Sequence, residues 1–321
     1  MSSKTPPSAK QVRCHLPLAG EALGAGSLPP LLRGGADRSR RWGCRTGLFI
    51  DKKNGAKNQI TKIIILCYLL RKAVFMGMNF PEMIIFDFGH TLVYEETWDG
   101  LRGSEAVLEY AVSNKNNLTA EQVSEIDLQL FTDTLAARRI LIEPHHHKFQ
   151  KLLYEYLQIE INLSPVELER VYWDNASKGH AMPNILGVLD YLYKNNIRTG
   201  VISNISFSGE ALKNRIDSIL PGNHFEFFIA SSEYIFMKPS KIIFELALRK
   251  ANLEAGKVWY CGDDVERDIH GASSVGIYPV WYESELECWY KAKTHGFMPE
   301  CEHLHIKNWL ELIDILESLK K

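Results

Sequence analysis

MIIFDFGHTL, residues 83–92, decides how this chain is read. Met83–Phe86 is a short β-prone run with no polar break, and it leads directly to the carboxylate of Asp87. An apolar run of this kind reads as a strand covered on both faces, as in a parallel sheet. Toward the C-terminus the strand signal then stops for about a hundred residues, and helical spacing replaces it. LRGSEAVLEYAV (101–112) carries apolar residues at helical intervals. Thr119, with Gln122 three residues on, has the pattern of a capping box opening the next helix. HHKFQKLLYEYLQI (146–159) reads as a third helix. LSPVELERVYWDNA (163–176) reads as a fourth, with Ser164 as cap and Pro165 at the first helical position.

Alternation then begins. Helices are expected at 183–196, 209–219, 240–252, 266–276 and 308–321, and strands at 198–204, 225–231, 257–262 and 277–282. Strand–helix alternation implies a parallel sheet with helices on both faces. In such sheets chemistry sits outside the C-terminal strand ends. The notable polar residues fall there: Asp87 after the first strand, Ser203 and Asn204 in RTGVISN, and Asp263 and Asp264 in KVWYCGDD. The helical block, 97–180, is expected to sit over that edge.

Each residue type suits one chemistry. A strand-end carboxylate such as Asp87 can attack phosphorus or carbon covalently. Asp263 and Asp268, at the start of a helix after Gly262, are hard oxygen donors suited to Mg²⁺. Ser203 can donate hydrogen bonds to phosphate oxygens, helped by nearby backbone N–H groups. Lys238 brings a point charge suited to phosphate. Singly, each has a plainer reading: a helix cap, a turn, a solvated lysine. Their order and shared strand context argue for a site.

These motifs resemble the haloacid dehalogenase superfamily over about residues 80–320, in the subgroup with a helical cap between the first and second motifs. The family's first motif is Asp-x-Asp-x-Thr; here it is Asp87-Phe88-Gly89-His90-Thr91. VISN supplies the second with Ser203, Lys238-Pro239 the third, and Gly262-Asp263 with Asp268 the fourth. The resemblance implies an α/β fold, a Rossmann-like parallel-sheet core (78–96 and 181–321) with an inserted α-helical cap (97–180). It implies Asp87 as nucleophile and Mg²⁺ ligand, with the Gly89 carbonyl, Asp263 and Asp268 completing the protein's share of the ion's shell. Asp264 ranks below Asp263.

Gly89 departs from the pattern, because the family's second Asp is the general acid/base. Its loss removes a group typically worth about 10²–10⁴-fold. His90, which titrates near neutrality, is a candidate substitute, and Glu95 and Glu96 lie close in sequence. The alternatives are a substrate with a good leaving group or a protein that only binds. A phosphonatase tolerates a small residue at that position but needs a cap lysine, for which Lys115, Lys148 and Lys151 are available. The histidine triplet 145–147 reads as a solvated helix start, and Tyr154, Tyr156, Tyr172 and Trp173 as core.

The remaining features set limits. Residues 1–75 hold fourteen Lys/Arg and three acids, a balance of +11, against −13 for the rest. An acidic body argues against broad nucleic-acid binding. The Gly-, Pro- and Ser-rich head is expected to be disordered, or to precede a working start at Met76 or Met78. Its apolar run, Ile63–Leu70, falls well short of the ~20 residues of a membrane span. Cys14, Cys44, Cys67, Cys261, Cys288 and Cys301 form no metal or disulfide pattern. The sequence therefore leads to a cytoplasmic, Mg²⁺-dependent hydrolase of a small phosphorylated metabolite, with no nucleic-acid or membrane partner.

Overall fold

The computed structural model describes residues 79–286 and 297–320. The expectations for residues 1–75, for Met76 and Met78 as starts, and for Cys14, Cys44, Cys67 and Cys288 lie outside the described residues.

In chain order the strands are β1 (Met83–Phe86), β2 (Val93–Glu95), β3 (Ala111–Asn114), β4 (Ile159–Ile161), β5 (Gly179–Ala181), β6 (Arg198–Ser203), β7 (Phe225–Ala230), β8 (Val258–Gly262), β9 (Tyr278–Tyr282) and β10 (Leu304–Ile306). The helices are α1 (Gly100–Leu108), α2 (Ala120–Arg139), α3 (His146–Leu157), α4 (Pro165–Ala176), α5 (Ile185–Lys194), α6 (Gly209–Ile219), α7 (Ser231–Tyr234), α8 (Lys241–Ala251), α9 (Gly271–Ser273) and α10 (Trp309–Leu319). A π-type turn over Val265–His270 leads into α9.

Six strands form one sheet in the order β10-β9-β8-β1-β6-β7, and every pairing in it is parallel. The chain starts at the centre, winds outward through β6 and β7, then crosses back and winds the other way through β8, β9 and β10. This is the doubly wound order, with its reversal between β1 and β8. There the flanking loops diverge and leave a crevice at the C-terminal strand ends.

The apolar run of β1 has the burial expected of a central strand. Met83, Ile84, Ile85 and Phe86 are all fully buried. Ile84 and Phe86 join the larger apolar cluster, while Met83 and Ile85 join the one on the opposite face with Phe244 and Tyr260. Register then sets the site: Phe86 lies level with Val201 of β6 and Cys261 of β8. Asp87 therefore emerges beside the last residues of both neighbours, with its N–H donated to the Cys261 carbonyl (2.8 Å).

Between β2 and β5 the chain forms α1–α4, with α1 packed on α2 and α4. Both expected caps are present: Thr119 with Gln122, and Ser164 with Glu167 beside Pro165. This stretch also contains strands that the sequence pattern did not show. β3 pairs with β4, and β2 with β5, each antiparallel. Strands of three or four residues have too few inward positions for alternation to register. The helix expected over 101–112 stops at Leu108: Tyr110 and Val112 are exposed, and Val112 belongs to β3. Tyr156 is also exposed, whereas Tyr154, Tyr172 and Trp173 are buried as expected. No helix among the described residues is long and apolar enough to cross a membrane.

Candidate active site

Asp87, Asp263 and Asp268 come together at the β1–β8 reversal, with a carboxylate oxygen from each within 4.8 Å of the others. Three different devices place them. Asp87 is the first residue past β1, and Asp263 the first past β8. Asp268 returns to the strand end through the π-type turn, where its carboxylate accepts the Asp264 N–H (3.0 Å). Asp264 caps that turn by accepting the Arg267 N–H (2.8 Å). Gly262 is required here because the Asp268 carboxyl packs where any Cβ would stand.

Lys238 reaches into this cluster from the loop between α7 and α8. Its ammonium donates to Asp87 Oδ1 (2.6 Å), Asp268 Oδ1 (2.6 Å) and the Tyr260 hydroxyl (2.8 Å). The Asn204 side chain holds its backbone at both ends, accepting the Lys238 N–H (2.7 Å) and donating to the Lys238 carbonyl (2.9 Å). The end of β6 thus fixes a lysine 34 residues further along the chain.

Burial and like charge dominate the electrostatics. Loss of water lifts the Asp87 carboxyl to about 6, against the pull of Lys238 and with the help of the Asp268 charge. Burial, then the charges of Asp87, Asp268 and Asp264, push Asp263 well above the usual carboxylate range. Burial alone would lower Lys238, but Asp268 and Asp87 override it and hold the ammonium above its ordinary value. Three carboxylates face one ammonium, so a doubly charged cation would balance the set. Hard oxygen donors at this spacing suit Mg²⁺.

Ser203, buried at the end of β6, lies one step past the level of Asp87. Gly89 and His90 form the tight turn leaving β1, in which the His90 N–H bonds to the Val93 carbonyl (2.7 Å). His90 is buried, with its backbone in the left-handed region. A side chain at Gly89 would meet nothing within 4 Å of its Cβ. The Trp309 indole donates to the Thr91 carbonyl (3.1 Å), so α10 braces the same turn.

The helical insert touches the loops at this strand edge. The His146 N–H bonds to the Ser206 carbonyl (2.8 Å). Glu169 of α4, fully buried, accepts the N–H (2.9 Å) and hydroxyl (2.5 Å) of Ser208 and contacts His147 Nε2 (2.9 Å). His146 lies 3.4 Å from the same carboxylate, and its ring packs tilted against Phe207 at 4.4 Å. Burial would raise Glu169, but the contacts from His146 and Ser208 outweigh it and hold this carboxyl below its ordinary value. The histidine triplet is therefore not a solvated helix start. Its partners lie far along the chain, on α4, in the loop after β6 and, for His145, at Glu233 of α7.

The haloacid dehalogenase-like hydrolase family model matches residues 81–276, a span holding Asp87, Ser203, Lys238, Asp263 and Asp268. The chain belongs to the haloacid dehalogenase-like hydrolase family. It is 25% identical over 224 residues to pyrimidine 5'-nucleotidase YjjG of Escherichia coli, covering 68% of this chain and 91% of that one. It is 32% identical over 144 residues to the glyceraldehyde 3-phosphate phosphatase of Methanothermobacter thermautotrophicus, covering 43% of this chain and 57% of that one. Among solved structures, a 2-haloacid dehalogenase of Pseudomonas syringae is similar at TM-score 0.48 and 20% identity, covering 74% of this chain and 99% of that one. Within this hydrolase of the family, Tyr260 and Glu169 were not expected from sequence, and Asn204, expected at the strand end, proves to hold the Lys238 backbone. Tyr260 sits inside an apolar strand motif, and only its hydroxyl, at the ammonium, reveals it.

Proposed function

We propose that this protein is a Mg²⁺-dependent phosphatase acting on a small phosphorylated metabolite in the cytoplasm. The observation that carries the reading is the buried Asp87–Asp263–Asp268 cluster with Lys238 between two of its members. The curated relatives named as phosphatase and nucleotidase support phosphoryl transfer over carbon–halogen chemistry.

Mg²⁺, held by Asp87, Asp263, Asp268 and the Gly89 carbonyl, would offset repulsion between anionic substrate and carboxylates. Asp87 attacks phosphorus: an Asp–phosphorus bond forms, the ester P–O bond breaks, and the leaving oxygen takes a proton. Water then attacks the aspartyl-phosphate, releasing inorganic phosphate and restoring Asp87. Lys238 neutralises charge beside Asp87, and Ser203 donates to a phosphate oxygen. His90 is the candidate for moving the proton, since Gly89 supplies no carboxyl. The helical insert closes over the strand edge as the cap, and its loops select the substrate.

A panel of phosphorylated metabolites with a generic aryl phosphate, assayed with and without Mg²⁺, tests the proposal. Turnover is expected only with Mg²⁺ and is lost in Asp87→Asn. A fully active Asp87→Asn variant would refute the mechanism. Gly89 itself favours a second reading, a catalytically weak binder of phosphometabolites, expected to be silent across the panel. The phosphonatase alternative has less support, because Lys115, Lys148 and Lys151 are all exposed.

A further inference from the structure

We infer that Tyr260 is a positioning residue that fixes the Lys238 ammonium against the nucleophile Asp87, an inference that rests on the phosphatase reading. An ammonium has three N–H donors and no acceptor. Here each donor has one partner: Asp87 Oδ1, Asp268 Oδ1 and the Tyr260 hydroxyl. The two carboxylates alone leave the third N–H without its hydroxyl partner, with rotation about the line between them less opposed. The tyrosine oxygen closes the tripod. Its own proton faces Asp268 Oδ1 (3.1 Å), the nearer of two acceptors, with the Ile202 carbonyl at 3.4 Å, so the same hydroxyl also touches the carboxylate that holds the lysine.

The hydroxyl is well placed for this. Tyr260 is fully buried in β8, level with Ile85 of β1, and its ring meets Phe244 edge-on at 5.2 Å. The ring belongs to the apolar core, and only its oxygen enters the polar cluster. Removing that oxygen leaves the packing intact and strands a buried N–H of a charged group. Hydrogen bonds to charged groups carry enough free energy for a loss of about 10- to 100-fold when one is deleted. The loss belongs in kcat, because Lys238 acts on charge at the reacting centre, whereas substrate capture draws on other contacts.

The test is Tyr260→Phe in the full chain, with two readouts. In steady-state assays with aryl phosphate and Mg²⁺, kcat is expected to fall about 10- to 100-fold with KM changed less than about twofold. The second readout needs no activity. In ¹⁵N-lysine NMR at low temperature, a buried, triply bonded ammonium gives an exchange-protected NζH₃ signal, assigned by its loss in Lys238→Met. That signal is expected in the wild type and lost in Tyr260→Phe. A protected signal that persists in Tyr260→Phe overturns the inference, as does a kcat within about twofold of wild type. An inert wild type whose signal is protected and lost in Tyr260→Phe sinks the phosphatase reading while supporting the tripod. Where Tyr260→Phe fails to fold, the wild type decides: an Overhauser contact between the Tyr260 ring and the Lys238 ammonium supports the inference, and its absence overturns it.

Discussion

Replacing Gly89 with Asp would return a carboxyl to the turn that leaves β1, and the structure sets what this should do. The side chain fits, since a Cβ at Gly89 meets nothing within 4 Å. Gly89 also lies outside the left-handed backbone region, so the new residue brings no conformational strain. Folding stability should stay within about 0.5 kcal/mol of wild type apart from charge effects. The charge effects are the useful part. Residues two apart in an extended chain lie roughly 7 Å apart. At an effective dielectric of about 20, two unit charges at that distance repel by about 2 kcal/mol. That repulsion lifts the new carboxyl above its ordinary range, toward the value at which a general acid works best near neutrality.

The rate should therefore depend on the leaving group. Aryl phosphates depart with little protonation, whereas alkyl phosphates need a proton in the transition state. If position 89 faces the leaving oxygen, Gly89→Asp should raise kcat/KM for an alkyl phosphate by about 10²–10⁴-fold and for an aryl phosphate by much less. If His90 already moves the proton, the alkyl gain shrinks to about tenfold or less. The assay compares the two substrates in parallel, with circular dichroism to confirm folding. A folded variant whose alkyl-to-aryl ratio equals that of wild type refutes the placement of residue 89 at the leaving group.

Other perturbations probe the same cluster. Without Mg²⁺, the fold holds Asp87 near 6 against its ordinary 3.8, so the folded chain binds more protons between those values. Stability should then fall as pH rises through that window, by up to about 3 kcal/mol. Urea midpoints should fall more steeply in wild type than in Asp87→Asn, where buried Asp263 still takes up a proton in the same direction, and saturating Mg²⁺ should reverse the fall; equal slopes in the two proteins would contradict the Asp87 shift. Mg²⁺ affinity measured by calorimetry should drop about tenfold between pH 7 and pH 5 from Asp87 alone, because the proton competes for the same oxygens. Gly262→Ala forces its Cβ against the Asp268 carboxyl, and displacement of that group should cost roughly 100-fold in kcat/KM while the protein stays folded. Glu169→Ala strands Ser208, His146 and His147 in a buried contact, with an expected loss of about 2–4 kcal/mol in urea unfolding.

Five of the six sheet strands were legible, most clearly β1, β8 and β9, which are apolar and largely buried on both faces, and Asp87 and Asp263 sit one step past strand ends; β10, three residues with an exposed His305, carries too little pattern to be read. Asp87 and Asp263 are visible as polar letters closing apolar runs, and Lys238-Pro239 stands out through its resemblance to the family's third motif. Asp268 follows from its spacing after Gly262. Tyr260 was not legible, because a tyrosine in VWYCG reads as strand core, and its ring is core. Only the three-dimensional approach of Lys238, 22 residues earlier, gives its hydroxyl a role. The histidine triplet was misread for a related reason. Whether a helix-start histidine is solvated depends on what packs on it, and Glu169 and the 205–208 loop are distant in sequence. The short strands β2–β5 lie below the length at which alternation can be recognised.

The electrostatics of the strand edge point to the same function as its geometry. A fold under selection for stability alone would not bury three carboxylates beside one ammonium, since like charges at this spacing oppose folding. Here the opposing interaction is kept and supported. β1 and β8 are fully buried, Gly262 makes room for Asp268, and Asn204 and Tyr260 hold the lysine from two sides. The residual negative charge is poised for a cation, and the cation for an anionic substrate. Gly89 is the point where this arrangement stops short: the turn has space for a carboxyl and carries none. On the phosphatase reading proposed above, the cluster would bind and activate a phosphoryl group, and the absence of a carboxyl at position 89 would limit how fast the leaving oxygen departs. The same reading would place the rate-limiting chemistry at the leaving group and not at Asp87. It is also why the alkyl-to-aryl ratio, more than the rate on any single substrate, separates a working phosphatase from a binder.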